Sequence, residues 1–197
     1  MQDDYFLSLN KMLNAYVPIG TEACQLILEK GIIEPYSKNE IIFHVKRLNE
    51  FEYFQLEGLS HRFNVDSKAQ VLTTGIYQNG VIITPNFART KNGQSIFSLQ
   101  ALTDCTFLKI PINIFEELRH QNQQIEKLSH KVVEQEFSKC LNLEVLFRSC
   151  SAKERLIHFR NNYSQLENII PHSIIASFLG ITAVSLSRLR NELAKES

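Results

Sequence analysis

Several things are scarce or missing in this 197-residue sequence. Its four cysteines, Cys24, Cys105, Cys140 and Cys150, lie far apart, with no Cys-x-x-Cys pair and no neighbouring histidine cluster. That argues against a zinc site, an iron–sulfur site and a disulfide framework, and leaves reduced thiols in a cytosol as the expectation. No His-x-His pair occurs, and only His44 and His61 fall in the strand-rich part of the chain. A cupin-type metal enzyme, which needs several histidines and a carboxylate converging on one ion, is therefore the weaker alternative, and no catalytic residue, metal ligand or cofactor is assigned. No apolar run is long enough to span a membrane, and the opening "MQDDYFLSLNKML" is acidic rather than signal-like. The expectation is a cytoplasmic chain with no membrane partner.

Net charge is also absent, with 21 Lys and Arg against 21 Asp and Glu. The balance hides an asymmetry. Residues 148–197 carry seven cations (Arg148, Lys153, Arg155, Arg160, Arg188, Arg190, Lys195) against four acids, or +3, which leaves fourteen against seventeen, or −3, for the rest. A basic end on an acidic body places any polyanion at the C-terminal part.

The hydrophobic period changes twice along the chain. Up to about Lys30, apolar positions recur at three and four, which predicts two short helices broken near Pro18-Ile19-Gly20. Between Ile32 and Ile110 lie short β-rich runs, "EIIFHV", "FEYFQL", "LSHRFNV", "AQVLTTG", "SIFSLQAL" and "CTFLKI", separated by Asn49, Gly58, Asn79-Gly80 and Asn92-Gly93. Many short strands with Asn-Gly turns predict an antiparallel sandwich or barrel. After Pro111 the period returns to helical, with a short helix around Ile114–Leu118 and a long one from about Gln123 to Phe147. The long helix has two apolar stripes, one of Ile125, Leu128 and Val132 and one of Val133, Phe137, Cys140, Leu141 and Leu146. One stripe can cover the β domain and the other can meet a second copy; the seam is assigned to Ile125, Leu128 and Val132, giving a homodimer. "SAKERL" reads as a capping box of Ser151 with Glu154.

The stretch "IPHSIIASFLGITAVSLSRLRNEL" carries the most information. Ile174, Ile175, Phe178 and Leu179 form the inner face of one helix, and Ala176 is small where another must cross closely. Gly180 permits a left-handed turn, Thr182 caps the next helix, and Leu186 and Leu189 supply its core face. That is a helix-turn-helix arrangement, whose second helix enters a DNA major groove.

With these residues in view, the sequence resembles the Crp/Fnr superfamily of transcription regulators, most closely its Bacteroidetes-type members. The resemblance rests on "EYFQLEGLSHRFNV", "SIFSLQALTDCTFLKIPINIFEEL" and "IASFLGITAVSLSRLRNEL", and covers nearly the whole chain. It implies an α+β fold: an N-terminal antiparallel, jelly-roll-type β-barrel of the cyclic-nucleotide-binding kind over 1–122, a dimerisation helix over 123–148, and a helix-turn-helix domain over 149–197. It also implies double-stranded DNA and RNA polymerase as partners, with a small-molecule effector. Residues Ile83, Thr84, Phe87, Arg89, Ser95 and Phe97 are the candidate effector pocket, and Thr182, Ala183, Val184, Ser185, Ser187, Arg188 and Arg190 the candidate DNA contacts.

Two departures qualify the resemblance. Cyclic-AMP binders of the family carry Gly-Glu and, about ten residues on, Arg-Ser for the ribose and phosphate; "VIITPNFARTKNGQSIFSL" has Thr84-Pro85 and Ser95-Ile96 instead. A phosphate without its guanidinium loses a bidentate charge-assisted contact, so the effector is expected to be something other than cyclic AMP, unless Arg89 or Lys91 substitutes. In the recognition helix, Ala183-Val184 replaces the polar residue and Glu of many relatives. Neither can hydrogen-bond a base edge, although both can touch a thymine methyl, so polar readout falls to Ser185, Ser187 and Arg188, with Arg188 on guanine and Arg190 on phosphate. Ser197 follows soon after the recognition helix, and the expectation is a reader without a C-terminal β-wing. The alternative is an effector-less or protein-binding regulatory module whose DNA readout has weakened.

Overall fold

The computed structural model describes residues 2–196, grouped into two compact units, Met1–Arg62 with Ile76–Phe137 and Phe63–Gly75 with Ser138–Ser197. Helices α1 (Gln2–Tyr16) and α2 (Thr21–Lys30) come first. Strands β1 (Ile32–Tyr36), β2 (Ile41–Phe43), β3 (Phe51–Glu57), β4 (Ser60–Val65), β5 (Val71–Tyr77) and β6 (Val81–Ile82) follow. A one-turn helix α3 (Asn86–Arg89) precedes β7 (Thr90–Lys91), β8 (Gln94–Ser95), β9 (Ser98–Ala101) and β10 (Cys105–Pro111). The rest is helical: α4 (Ile112–Gln121), α5 (Gln123–Ser149), α6 (Ala152–Asn162), a 3-10 turn at Leu166–Asn168, α7 (His172–Phe178) and α8 (Ala183–Glu196).

The expected closed barrel is not formed. Among the described residues the strands make two four-stranded sheets, in the orders β1-β10-β3-β6 and β2-β9-β4-β5, and a separate β7-β8 ribbon, with no sheet closed on itself. The edges explain why closure fails. Edge strand β1 pairs antiparallel with β10 through Ile32 to Tyr36 and includes Pro35, which has no N–H to offer a further neighbour; β6, at the other edge, is two residues long. Pro35 also hid β1 from the periodicity reading.

In the first unit, the β1-β10-β3-β6 sheet is buried on both faces. Tyr36, Phe43, Tyr53, Phe97, Leu99 and Phe107 fill the inner cluster, while Phe54, Leu108 and Ile110 join Leu9, Leu13 and Ile27 of the N-terminal helices in an outer one. Burial on both faces is why β3 is buried continuously from Glu52 to Leu56 instead of alternating. Gly58 turns β3 into β4 with φ +90°, and a Cβ there would collide with the Asp104 carbonyl and the Cys105 thiol.

Helix α5 resolves the choice between its two stripes. Ile125, Leu128 and Val132 are 0%, 1% and 1% exposed and belong to the outer cluster of the first unit, so the stripe assigned above to a dimer seam is occupied within the chain. The solvent-facing apolar residues of α5 are instead Phe137, Leu141, Val145 and Phe147, with Val133 half-buried. Leu128→Ala should therefore act as a core truncation, costing about 2–5 kcal/mol in urea denaturation and leaving the oligomeric state of the folded protein unchanged.

Candidate functional site

The second unit is built from local signals that operate as the sequence implies. Ser151 accepts from the Glu154 backbone N–H, and the Glu154 carboxylate returns the bond to the Ser151 N–H, closing the capping box that opens α6. Helix α7 ends in a Schellman turn: the Ile181 N–H reaches the Ala176 carbonyl at 3.0 Å and the Gly180 N–H reaches Ser177 at 3.1 Å, with Gly180 at φ +65°. A Cβ on Gly180 would press on the Phe147 ring at 2.9 Å, so both backbone and space require glycine. Thr182 then caps α8, its Oγ1 accepting from the Ser185 N–H at 3.1 Å. Ile175, Ala176, Phe178, Leu179, Leu186 and Leu189 are all buried, as the face assignment requires, while Ile174, assigned to the same face, is only half-buried. On the other side of α7, Ser177 Oγ donates to the Val71 carbonyl at 2.6 Å and accepts from the Thr73 N–H at 2.9 Å. The β4-β5 tip thereby docks on the first helix of the motif, a contact that nothing local in sequence signals.

The candidate DNA residues fall into two groups. Thr182, Ala183, Val184, Ser187 and Arg188 are exposed, Val184 at 81%, and Arg188 has only a loose 3.8 Å ion pair with Glu192. Ser185 and Arg190 are less free. Ser185 Oγ lies 3.0 Å from Thr182 Oγ1 in the cap. Arg190 bonds Glu167 at 2.8 Å beside His172, and Glu167 also takes a bidentate contact from Arg160 at 2.7 and 3.0 Å. Arg190 is thus anchored inside the domain, with 30% of its side chain exposed.

The six candidate effector residues stand in different surroundings. Ile83 and Phe97 belong to the inner apolar cluster, Phe87 is 55% exposed beneath the Arg119 guanidinium, and Ser95 bonds Asn49 at 2.8 Å. Arg89 is fully buried: it meets Glu52 at 3.1 Å, the Thr84 carbonyl at 2.6 Å, Asn49 and the Phe51 carbonyl, and lies over the rings of Phe43 and Tyr53. Its charge is already neutralised. Burial pushes the Glu52 carboxyl up, while Arg89 and the Asn86 N–H pull it back toward ionisation. Thr84 joins a second buried set. Its hydroxyl donates to Glu136 at 2.7 Å, Arg62 reaches the same oxygen at 3.2 Å, and Tyr77 lies 2.9 Å from Thr84 Oγ1. Burial, partly offset by Arg62, raises the Tyr77 phenol to about 12, so it stays a neutral donor. Sequence reasoning missed Arg62 and Glu136, although Glu136 follows Val132 by one turn on the buried stripe of α5 and was readable there.

Among the described residues no group of three or more His, Cys, Asp or Glu could hold a metal ion, and no single helix is long and apolar enough to cross a membrane.

The Arg160–Glu167–Arg190 cluster has a pH consequence. Arg160 above all, with Arg190 and His172, holds the Glu167 carboxyl below the usual carboxylate range. A depressed acid stabilises the fold above its unfolded value, about 4.3, and loses that contribution as pH falls through the folded value. Glu167→Gln should lower the urea midpoint at neutral pH and flatten its decline between about pH 5 and pH 3 relative to the native chain.

No protein-family model and no curated protein sequence matches the chain. Solved structures do. The chain is similar to FixK2 of Bradyrhizobium japonicum, with a TM-score of 0.73 and 16% identity over 84% of this chain and 85% of that one. It is similar to the c-di-GMP-responsive global regulator CLP of Xanthomonas campestris, with a TM-score of 0.76 and 10% identity over 90% and 93%. A Crp/Fnr-family transcriptional regulator of Thermus thermophilus aligns with a TM-score of 0.68 and 17% identity over 84% and 87%. The shared architecture of a two-sheet domain, a long helix and a helix-turn-helix unit is the fold of the Crp/Fnr transcription regulators, and this chain has that fold.

Proposed function

We propose that the chain is a homodimeric, cytoplasmic regulator of transcription that binds double-stranded DNA sequence-specifically through α8 and carries no catalysis. The observation that carries this reading is the free face of α8, where Val184, Ser187 and Arg188 stand exposed after a capped helix start with no acidic residue in its first turn. A helix N-terminus normally gains from an acid there; leaving it out keeps negative charge away from a polyanion. The signal-receiving part is the two-sheet domain. An effector would have to work around guanidinium groups already paired with Glu52 and Glu136, which supports an effector other than cyclic AMP.

The same reading gives Arg188 the bidentate contact to guanine O6 and N7, since it is the exposed arginine of α8, and leaves Arg190 a positioning residue with only its outer edge for phosphate. Two copies pairing through α5 would present two α8 helices to half-sites about one helical turn apart. Selection of bound fragments from genomic DNA with the purified chain tests the reading directly; an enriched inverted repeat supports it, and a flat pool removes it.

On an operator so selected, Arg188→Ala should cost about 1–3 kcal/mol and relax the preference at one base pair per half-site, read by competition binding. Phe137→Glu combined with Leu141→Glu, both at exposed positions on α5, should give a folded monomer by light scattering with operator binding lost. A dimer retained in that variant would put the seam elsewhere.

A further inference from the structure

Val184 is 81% exposed, the highest exposure among the large hydrophobic residues of the described chain, and it sits in the first turn of α8. Stability does not account for it. Valine is a mediocre helix former, it is not among the buried residues, and a first-turn position favours an acid or a small capping residue. The surrounding chemistry narrows what it could meet. Thr182 and Ser185 share a hydroxyl contact of 3.0 Å within the helix cap, so the polar groups beside Val184 are already engaged locally. Arg188 lies one turn further along the same face, in reach of a common surface.

We infer that Val184 is a specificity-determining residue that reads the 5-methyl group of a thymine in each half-site. The inference rests on the DNA-binding reading of α8 and deepens it. In the major groove the thymine methyl is the one apolar feature of a base edge; cytosine, adenine and guanine offer donors or acceptors there, which valine leaves unsatisfied. Burying an exposed isopropyl group on that methyl gains affinity, whereas placing it on a polar edge removes water from groups that receive no partner. The separation of Val184 from Arg188 also fixes a spacing. Four residues advance about 6 Å along a helix, and base pairs are stacked about 3.4 Å apart, so the thymine falls within about two base pairs of the guanine.

The test uses the full chain and DNA selected from a random library, resynthesised with deoxyuridine at each thymine near the conserved guanine in turn. One position per half-site should respond to loss of the methyl, weakening binding about fourfold when one half-site is changed and about fifteenfold when both are. Val184→Ala, at a position open to solvent, should bind the thymine and uracil operators with nearly equal affinity and keep its demand for guanine. Val184→Glu should move the preference at that base pair toward cytosine, whose amino group a carboxylate accepts. Equal binding of the native chain to thymine and uracil operators overturns the inference, and so does undiminished discrimination in Val184→Ala; in either case the selected operator itself leaves the DNA-binding reading standing. A library that shows no enrichment removes both.

Discussion

The two-faced burial of the β1-β10-β3-β6 sheet is the constraint on which the rest of the architecture depends. One face is covered by the second sheet, and the other must be covered by helices, because Phe54, Leu108 and Ile110 are all sealed from water on that side. Helices α1 and α2 do not suffice, and the first turns of α5 complete the cover with Ile125, Leu128 and Val132. Only then is the other face of α5 defined as the free one. The hydrophobic effect inside one chain thus decides which residues remain available to a second chain.

Features that depend on a few neighbouring residues were legible in the sequence. Gly180, Thr182 and the Ser151–Glu154 box each act over about one helical turn, and each stands where its residue type implied. Features that depend on distant partners were not. Both stripes of α5 are apolar, so periodicity cannot say which one the chain buries. Closure of a barrel depends on hydrogen bonding between edge strands, and strand composition carries no information about that. Arg89 reads in the sequence as a candidate effector contact because its partner Glu52 lies 37 residues away. Val184 was recognised as an apolar residue among DNA contacts, but its degree of exposure and the engagement of Ser185 in the cap required coordinates.

Arginine serves opposite ends in this chain according to its access to water. Arg89, with no exposed surface, spends its charge on Glu52 and backbone carbonyls, and its buried Nε, which has no hydrogen-bond partner, shows how hard a guanidinium is to satisfy fully in the interior. Arg62 is held by Glu136 and aromatic rings, and Arg190 by Glu167. Arg188, with 74% of its side chain exposed, keeps its five donors for solvent or a ligand. Counting cations along the sequence overstates how many can meet a polyanion, because three of these four are neutralised by acids within their own unit.

The docking of Ser177 on Val71 and Thr73 joins residues separated by 106 and 104 positions along the chain. During synthesis at about 5–20 residues per second, the hairpin tip leaves the ribosome roughly 5–20 s before the serine that will hold it. Through that interval the Val71 carbonyl and the Thr73 amide lack the serine hydroxyl that bridges them in the folded unit. The unit that carries α7 and α8 is therefore assembled from two separate instalments of the nascent chain, and its completion waits on the later one.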